Sequence, residues 1–309
     1  MINKILVTGS NGLVGSALKK ILGENHIYHT RNDADLNNYE QTYRYFKHSV
    51  ETHGVNTIIH TAAKVGGIMA NMENNNLFFY ENHQINANVL KASFMLNIDN
   101  FVNTLSTCIF PDNNINYPLT QNQIDNGDPH PSNYGYSYAK RLSGYETKIF
   151  RNITNKNWYS VIPTNIYGPN DNFNLENSHL IPALIHKAYL SKKNNEKFVI
   201  WGDGSPLRQF IYSEDLAQLI LWSIDNWRKD EHCMLINEPE ISVNDIANII
   251  KNKFNISDDN IVFDTNKPNG QLKKTAKSSV GFNYDFKSID EGISITIDWF
   301  IKNYDLIRK

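Results

Sequence analysis

A glycine-rich turn near the N-terminus constrains this chain more than any other feature. Lys4 to Thr8 (KILVT) reads as a short, fully buried strand. Thr8-Gly9-Ser10-Asn11-Gly12-Leu13-Val14-Gly15 follows directly, and Leu13, Val14, Ala17, Leu18, Ile21 and Leu22 then fall at helical spacing. In a strand–turn–helix setting, Gly9 permits a tight turn. Gly12 lets backbone approach a pyrophosphate, and Gly15 lets the helix pack closely. The helix N-terminus offers free N–H groups and a positive dipole end to phosphates. An ordinary turn is the plain alternative. The placement between strand and helix favours a dinucleotide held by Gly9, Ser10, Asn11, Gly12, Leu13, Val14 and Gly15.

The rest of the first half repeats the pattern. Ile27–Thr30, Thr57–Thr61, Phe101–Thr107 and Tyr159–Ile162 read as strands. Helix-like segments lie between them, including Leu77–Leu96 and Ser137–Phe150. Alternating strands and helices mean βαβ units on a parallel sheet. After Pro163 the loops lengthen and Gly168-Pro169 and Gly202-Asp203-Gly204 punctuate the chain. Asp215–Trp227 reads as a helix, and Ser242 is a good N-cap for another over Val243–Phe254. The expected fold is α/β: a Rossmann-type doubly wound parallel sheet over residues 1–165, with a smaller C-terminal α/β substrate domain over 166–309. Segments of the second part are free to return to the first sheet.

Composition narrows the function. The 309 residues carry 30 Lys plus Arg against 32 Asp plus Glu, a formal charge of −2. That balance argues against nucleic acid or an anionic membrane as partner. Hydrophobic residues at 40% suffice for a large core. Two cysteines, Cys108 and Cys233, support neither a disulfide framework nor a Cys-rich metal site, so no metal is expected and a reducing, cytoplasmic setting is. The longest apolar runs, such as Leu219–Trp222, are too short to span a bilayer. The start of the chain has no basic-then-apolar leader, so no signal peptide is expected.

The end of the second strand speaks to which dinucleotide. An NAD reader carries an acid there for the ribose hydroxyls. Here the residues are His29-Thr30-Arg31-Asn32, and Arg31 suits the 2′-phosphate of NADP; a solvated surface arginine is the alternative. Asp35 and Leu36 are placed to meet the adenine edge. A second motif, Tyr136-Ser137-Tyr138-Ala139-Lys140, sets Tyr and Lys one helical turn apart. A nearby ammonium would lower the Tyr136 pKa toward the working pH and fit it as acid for a carbonyl oxygen during hydride transfer. Ser106, at the carboxyl end of the preceding strand, would share that carbonyl.

With these elements in order, the chain resembles the extended short-chain dehydrogenase/reductases, and within them the branch that converts GDP-4-keto-6-deoxymannose to GDP-L-fucose. The resemblance rests on ILVTGSNGLVGSAL, HTAAKVGGIMAN, LSTCIFPD, NYGYSYAKR, IPTNIYGPNDNF, NSHLIPALIHK, VIWGDGSPLRQFIYSEDLAQL and FDTNKPNGQLKK, and so covers nearly the whole chain. It implies that Ser106, Tyr136 and Lys140 form the reductase triad. Ala62 and Ala63 would pass the cofactor. Pro163, Thr164, Asn165 and Ile166 would lie beside the nicotinamide. Cys108 and His179 would form the acid/base pair of epimerisation, His179 also touching the cofactor. Lys187, Trp201 and Arg208 would hold the GDP moiety, with Lys273 a further candidate. Many bacterial relatives carry Arg where this turn has Asn11, which leaves the 2′-phosphate to Arg31. A homodimer through the two long helices is implied as well.

Each residue has a plainer reading. A free cysteine is usually a small buried hydrophobe. His179 is one of ten histidines and suits a helix start. Trp201 suits a core as well as a guanine ring. Two other functions compete with the epimerase/reductase. One is a C4-reductase acting only on a related GDP-4-keto sugar, such as a GDP-heptose of surface polysaccharide. The other is a non-catalytic NADP-binding protein on the same fold.

Overall fold

Ile5–Thr8 forms β1, buried on both faces as strands of a parallel sheet are. The computed structural model describes residues 4–307 apart from 114, 228–231, 268, 280 and 282. After β1 come α1 (Leu13–Leu22), β2 (Ile27–Tyr28), α2 (Tyr39–His53), β3 (Thr57–His60), α3 (Ile68–Glu73), α4 (Asn75–Met95), β4 (Asn100–Thr104), α5 (Tyr134–Thr154) and β5 (Asn157–Pro163). The chain then passes through β6 (Asn165–Tyr167), α6 (Leu180–Asn194), β7 (Phe198–Trp201) and β8 (Leu207–Tyr212). α7 (Ser213–Asn226) packs on α1, and β9 (His232–Leu235) pairs with β5, so both return to the first sheet. β10 (Glu240–Ser242), α8 (Val243–Lys253), β11 (Ile261–Asp264), β12 (Lys273–Lys274) and α9 (Ile289–Lys302) complete the described chain.

The main sheet is parallel, in the order β2-β1-β3-β4-β5-β9. From β1 the chain goes outward to β2, then returns to β3 on the other side of β1. The crevice at the carboxyl ends of β1 and β3 is therefore the topological switch point, where such sheets bind ligands. Side-chain alternation splits β1 between two cores. Ile5 and Val7 join Val14, Leu18 and Leu216 on one face. Leu6 joins Phe46, Val89 and Trp158 on the other.

A second sheet is built on β8. It pairs with β10 antiparallel, and with β12 and β6 in parallel along its other edge. α6, α8 and α9 cover it with a core that includes Phe173, Ile185, Ile246 and Phe300. Ser242 caps α8 as its position suggested, its Oγ accepting from Asp245 N at 3.0 Å.

Two strands end earlier than their apolar runs. β2 stops at Tyr28, not Thr30, because the Asp33 carboxylate takes the Thr30 N–H at 2.7 Å and turns the chain. β4 stops at Thr104, not Thr107, because Ser106 Oγ accepts the Cys108 N–H at 3.2 Å and starts a short 3₁₀ turn, Thr107–Ile109. In both places a side chain offers the backbone a local partner in place of the sheet ladder.

Candidate active site

A cavity of about 740 Å³ lies between the carboxyl ends of the main sheet and the second sheet. Its floor is the glycine turn. Gly9 has φ +68°, and a Cβ there would lie 2.7 Å from Ala62 Cα. A Cβ on Gly15 would lie 2.3 Å from the Gly9 carbonyl oxygen, so it is the turn, more than the strand, that Gly15 meets. At Gly12 a Cβ would touch only that same oxygen, at 3.2 Å, and its other side is open to the cavity. Gly12 is the N-cap of α1 and supplies no side-chain acceptor, and the first turn holds no acid. The first turn of α1 thus has no capping side chain, and the residues that carry its N–H groups line the cavity, a cradle suited to a pyrophosphate.

Asn11, Leu13 and Val14 also line the cavity. Ser10 does not: it is buried, and both its N–H and its hydroxyl donate to the His29 carbonyl at 3.0 Å. It braces the turn against the chain that follows the second strand, outside the cavity lining.

Arg31 lies exposed at the rim with Asp35 and Leu36 in the lining. The nearest acid after β2, Asp33, is engaged with both the Thr30 N–H and hydroxyl, each at 2.7 Å. Asp33 is thus tied to the local backbone, while the Arg31 guanidinium lies exposed at the cavity rim. Ala62 and Ala63 lie beyond β3. Pro163, Thr164, Asn165 and Ile166 lie at the end of β5 and the start of β6; all line the cavity. Thr104 Oγ1, Thr164 Oγ1 and Ser178 Oγ line it too, buried without a hydrogen-bond partner among the described residues. A polar ligand in the cavity is one partner that can satisfy such atoms.

Ser106, Tyr136 and Lys140 all reach this cavity. Helix α5 carries the last two, and its start rests on the start of α4. Gly135 N–H donates to Asn75 Oδ1 at 2.8 Å, and a Cβ on Gly135 would lie 1.9 Å from the Asn75 carbonyl oxygen. Only glycine fits there, so this residue sets where Tyr136 stands; nothing in the spacing had marked it.

The electrostatics differ from expectation. The Lys140 ammonium donates to the Thr104 carbonyl at 2.8 Å, and burial pushes its pKa down to about 8. Burial pushes the Tyr136 phenol well above its usual range; the Cys108 sulfur adds to this and the Ser106 hydroxyl draws it partly back. The expected lowering of Tyr136 by Lys140 is thus overturned, because desolvation outweighs a cation turned toward the backbone. The phenol stays protonated at neutral pH, the form an acid needs.

Cys108 is half-buried in the turn after β4, and His179 is the N-cap residue of α6. His179 is exposed by area, but into the cavity, and the protein around it lowers its pKa, Lys274 adding to the effect. At Cys108 burial alone would raise the thiol. The Lys274 ammonium, Nζ 3.4 Å from Sγ, together with bonds from Ser106 and Asn133, turns the net shift downward.

Lys187, Trp201 and Arg208 line the far end of the cavity. Lys187 Nζ stands 4.4 Å above the Trp201 ring, a cation–π pair. Lys273 is not in the lining. It pairs with Glu240 at 3.0 Å, outside the cavity, and its neighbour Lys274 is the lysine that reaches in. Successive residues of a strand point to opposite faces, and the two-residue β12 carried no pattern from which to tell which one faces inward.

Comparison with known proteins bears on the same site. The model of the NAD dependent epimerase/dehydratase family matches residues 5–237. A GDP-L-fucose synthase of Dictyostelium discoideum is 42% identical over 99% of this chain and 97% of that protein. A probable GDP-L-fucose synthase of Drosophila melanogaster is 39% identical, covering 99% of each. The crystal structure of a GDP-L-fucose synthetase from Naegleria fowleri bound to NADP superposes with a TM-score of 0.90 at 36% identity, over 99% of this chain and 95% of that one.

Proposed function

The chain belongs to the NAD dependent epimerase/dehydratase family, and from that premise we propose that it epimerises a GDP-4-keto-6-deoxy sugar at C3 and C5 and reduces it at C4 with NADPH, giving GDP-L-fucose. One observation carries the reading. A single cavity holds a carbonyl-reducing set, Ser106, Tyr136 and Lys140, together with two side chains of intermediate acidity, Cys108 and His179.

The chemistry needs that union. A C4 ketone acidifies the protons on C3 and C5. One of the Cys108/His179 pair takes such a proton, and the electron pair moves onto O4. Ser106 and the Tyr136 hydroxyl donate hydrogen bonds to that oxygen. The other member of the pair returns a proton from the opposite face. Tyr136 then protonates O4 as C4 is reduced. NADPH, when bound, supplies the hydride. Its pyrophosphate fits the turn at Gly9, Gly12 and Gly15, and its ribose fits Lys140. Lys187, Trp201 and Arg208 hold the GDP end, where cations and an aromatic face suit a diphosphate and a purine.

NADPH is expected to bind more tightly than NADH because Arg31 meets the 2′-phosphate. Arg31→Ala should weaken NADPH about ten- to hundredfold and leave NADH unchanged. Titration of both cofactors checks this, and an unchanged preference would remove Arg31 from the site. The activity itself is tested by NADPH oxidation with GDP-4-keto-6-deoxymannose and analysis of the sugar formed. GDP-L-fucose supports the reading; a reduced but unepimerised sugar supports a C4-reductase; no turnover supports a binding protein.

The assembly we infer is a homodimer. The outer faces of α4 and α5 expose Tyr80, Met95, Leu142, Tyr145, Ile149 and Ile153, an apolar surface two helices wide. Light scattering should give twice the chain mass of 35.5 kDa; the single-chain mass overturns it. No helix among the described residues is long and apolar enough to cross a membrane. The two free thiols and the need for NADPH favour the cytoplasm.

A further inference from the structure

The chain between β4 and α5 reaches across to the segment around β12. Asp112 N–H donates to the Asp128 carbonyl at 3.0 Å, and Pro111 bridges to Pro129, so this excursion is closed on itself. Its next residues grip the other segment. The Tyr117 hydroxyl donates to the Lys273 carbonyl at 2.6 Å. Leu119 N–H donates to the Thr275 carbonyl at 2.8 Å, and Lys277 N–H donates back to the Leu119 carbonyl at 3.0 Å. These bonds hold residues 273–277 without help from the Asp112 side chain.

The Asp112 carboxylate meets a side chain instead. Its Oδ1 accepts from Gln271 Nε2, 159 residues away. A carboxylate only accepts, so the amide nitrogen is the end that faces it. The Gln271 oxygen is thereby turned away from Asp112, and nothing among the described residues donates to it. Gln271 lines the cavity and Asp112 does not. A Cβ on the neighbouring Gly270 would lie 3.6 Å from Arg208 Nη2, while Lys274, three residues on, ends 3.4 Å from Cys108 Sγ. The segment thus runs from Arg208 to Cys108, and Gln271 lies along it. His130 lines the same side, its Nδ1 accepting the Ser132 N–H at 3.1 Å and its Nε2 4.0 Å from Asp112 Oδ2.

We propose that Gln271 is a specificity-determining residue for the hexose, its amide oxygen accepting a ring hydroxyl at C2 or C3, and that Asp112 is the positioning residue that sets the amide that way round. This rests on the reading of the substrate as a GDP-4-keto-6-deoxy sugar. In such a sugar the hydroxyls between the anomeric diphosphate and the C4 ketone are those at C2 and C3. Each is a donor, and Gln271 offers an acceptor between the arginine at the GDP end and the reacting carbons. A site built to accept a hydroxyl rejects the analogue that lacks it, because the acceptor is then left unpaired. An amide free to turn would offer its NH₂ as readily as its oxygen and lose that preference. The carboxylate behind it removes the choice.

The test crosses variants with deoxy sugars. NADPH oxidation against concentration gives kcat/KM for GDP-4-keto-6-deoxymannose and for its 2-deoxy and 3-deoxy counterparts. Gln271→Leu should lower kcat/KM for the full sugar about three- to tenfold, chiefly through KM, the worth of one neutral hydrogen bond. It should lower one deoxy sugar by the same factor and leave the other untouched; the untouched sugar names the hydroxyl. Asp112→Ala should reproduce most of this pattern, and adding it to Gln271→Leu should cost nothing further. NADP and GDP carry no hexose hydroxyl, so their affinities should hold in every variant and verify folding. Gln271→Met replaces the Leu variant if NADP binding is lost. Equal losses on all three sugars, or no loss on any, overturn the role of Gln271, as does weakened binding of GDP alone. Additive losses in the double variant overturn the role of Asp112. A parent protein that does not turn over the full sugar overturns the substrate reading, and the proposal with it.

Discussion

Tyr136→Phe should slow hydride transfer by about 10²–10⁴-fold, the usual worth of a positioned general acid. The phenol is the group placed to give O4 its proton, and burial keeps it protonated at neutral pH. Removing the oxygen leaves the ring and its packing in place, so NADP affinity should hold. NADPH absorbance in single-turnover mixing reads the rate; a loss of less than about threefold would mean that another group supplies the proton. The pH profile should have a matching sign. Lys140, pushed down to about 8, is charged below that value and neutral above it. The positive field that steadies negative charge on O4 therefore fades as pH rises through about 8, and the reductive rate should fall on the alkaline side.

Cys108→Ser should abolish the other chemistry and spare this one. Serine keeps the size and polarity, but its hydroxyl does not ionise in the working range, so proton abstraction from C3 and C5 should stop. His179→Gln should leave reprotonation incomplete and the sugar partly epimerised. In both variants NADPH consumption should continue on the unepimerised ketone and yield a different 4-hydroxy sugar. Deuterium uptake at C3 and C5, followed by NMR beside NADPH absorbance, separates the two steps. If both variants exchange like the parent, Cys108 and His179 are structural, and a reductase acting on a related sugar becomes the better account.

The local sequence carried the frame of this protein. The turn at Gly9, Gly12 and Gly15, flanked by an apolar strand and a helical stripe, is a short-range signal, and so is Tyr136 four residues before Lys140. The parallel sheet followed from alternating strands and helices, because each element's burial pattern is written along its own residues. The place of Arg31 at the cavity rim was legible for the same reason: it follows its strand by three residues.

Contacts between distant segments decided the rest. Which of Lys273 and Lys274 enters the cavity depends on the pairing of a two-residue strand with β8, and the contact it makes joins residues 166 apart. Tyr136 was expected to be acidified by Lys140 because the two lie one turn apart. The structure instead sends the ammonium to the Thr104 carbonyl and buries the phenol. Spacing along a helix gives proximity but not direction or dielectric surroundings. Gly135 gained its role from Asn75, sixty residues away. Sequence periodicity fixed which elements form, because burial of apolar faces is a local pattern. The charge state of each group in the site is set by desolvation and by neighbours brought in from other elements, and those exist only once the two sheets have closed around the cavity.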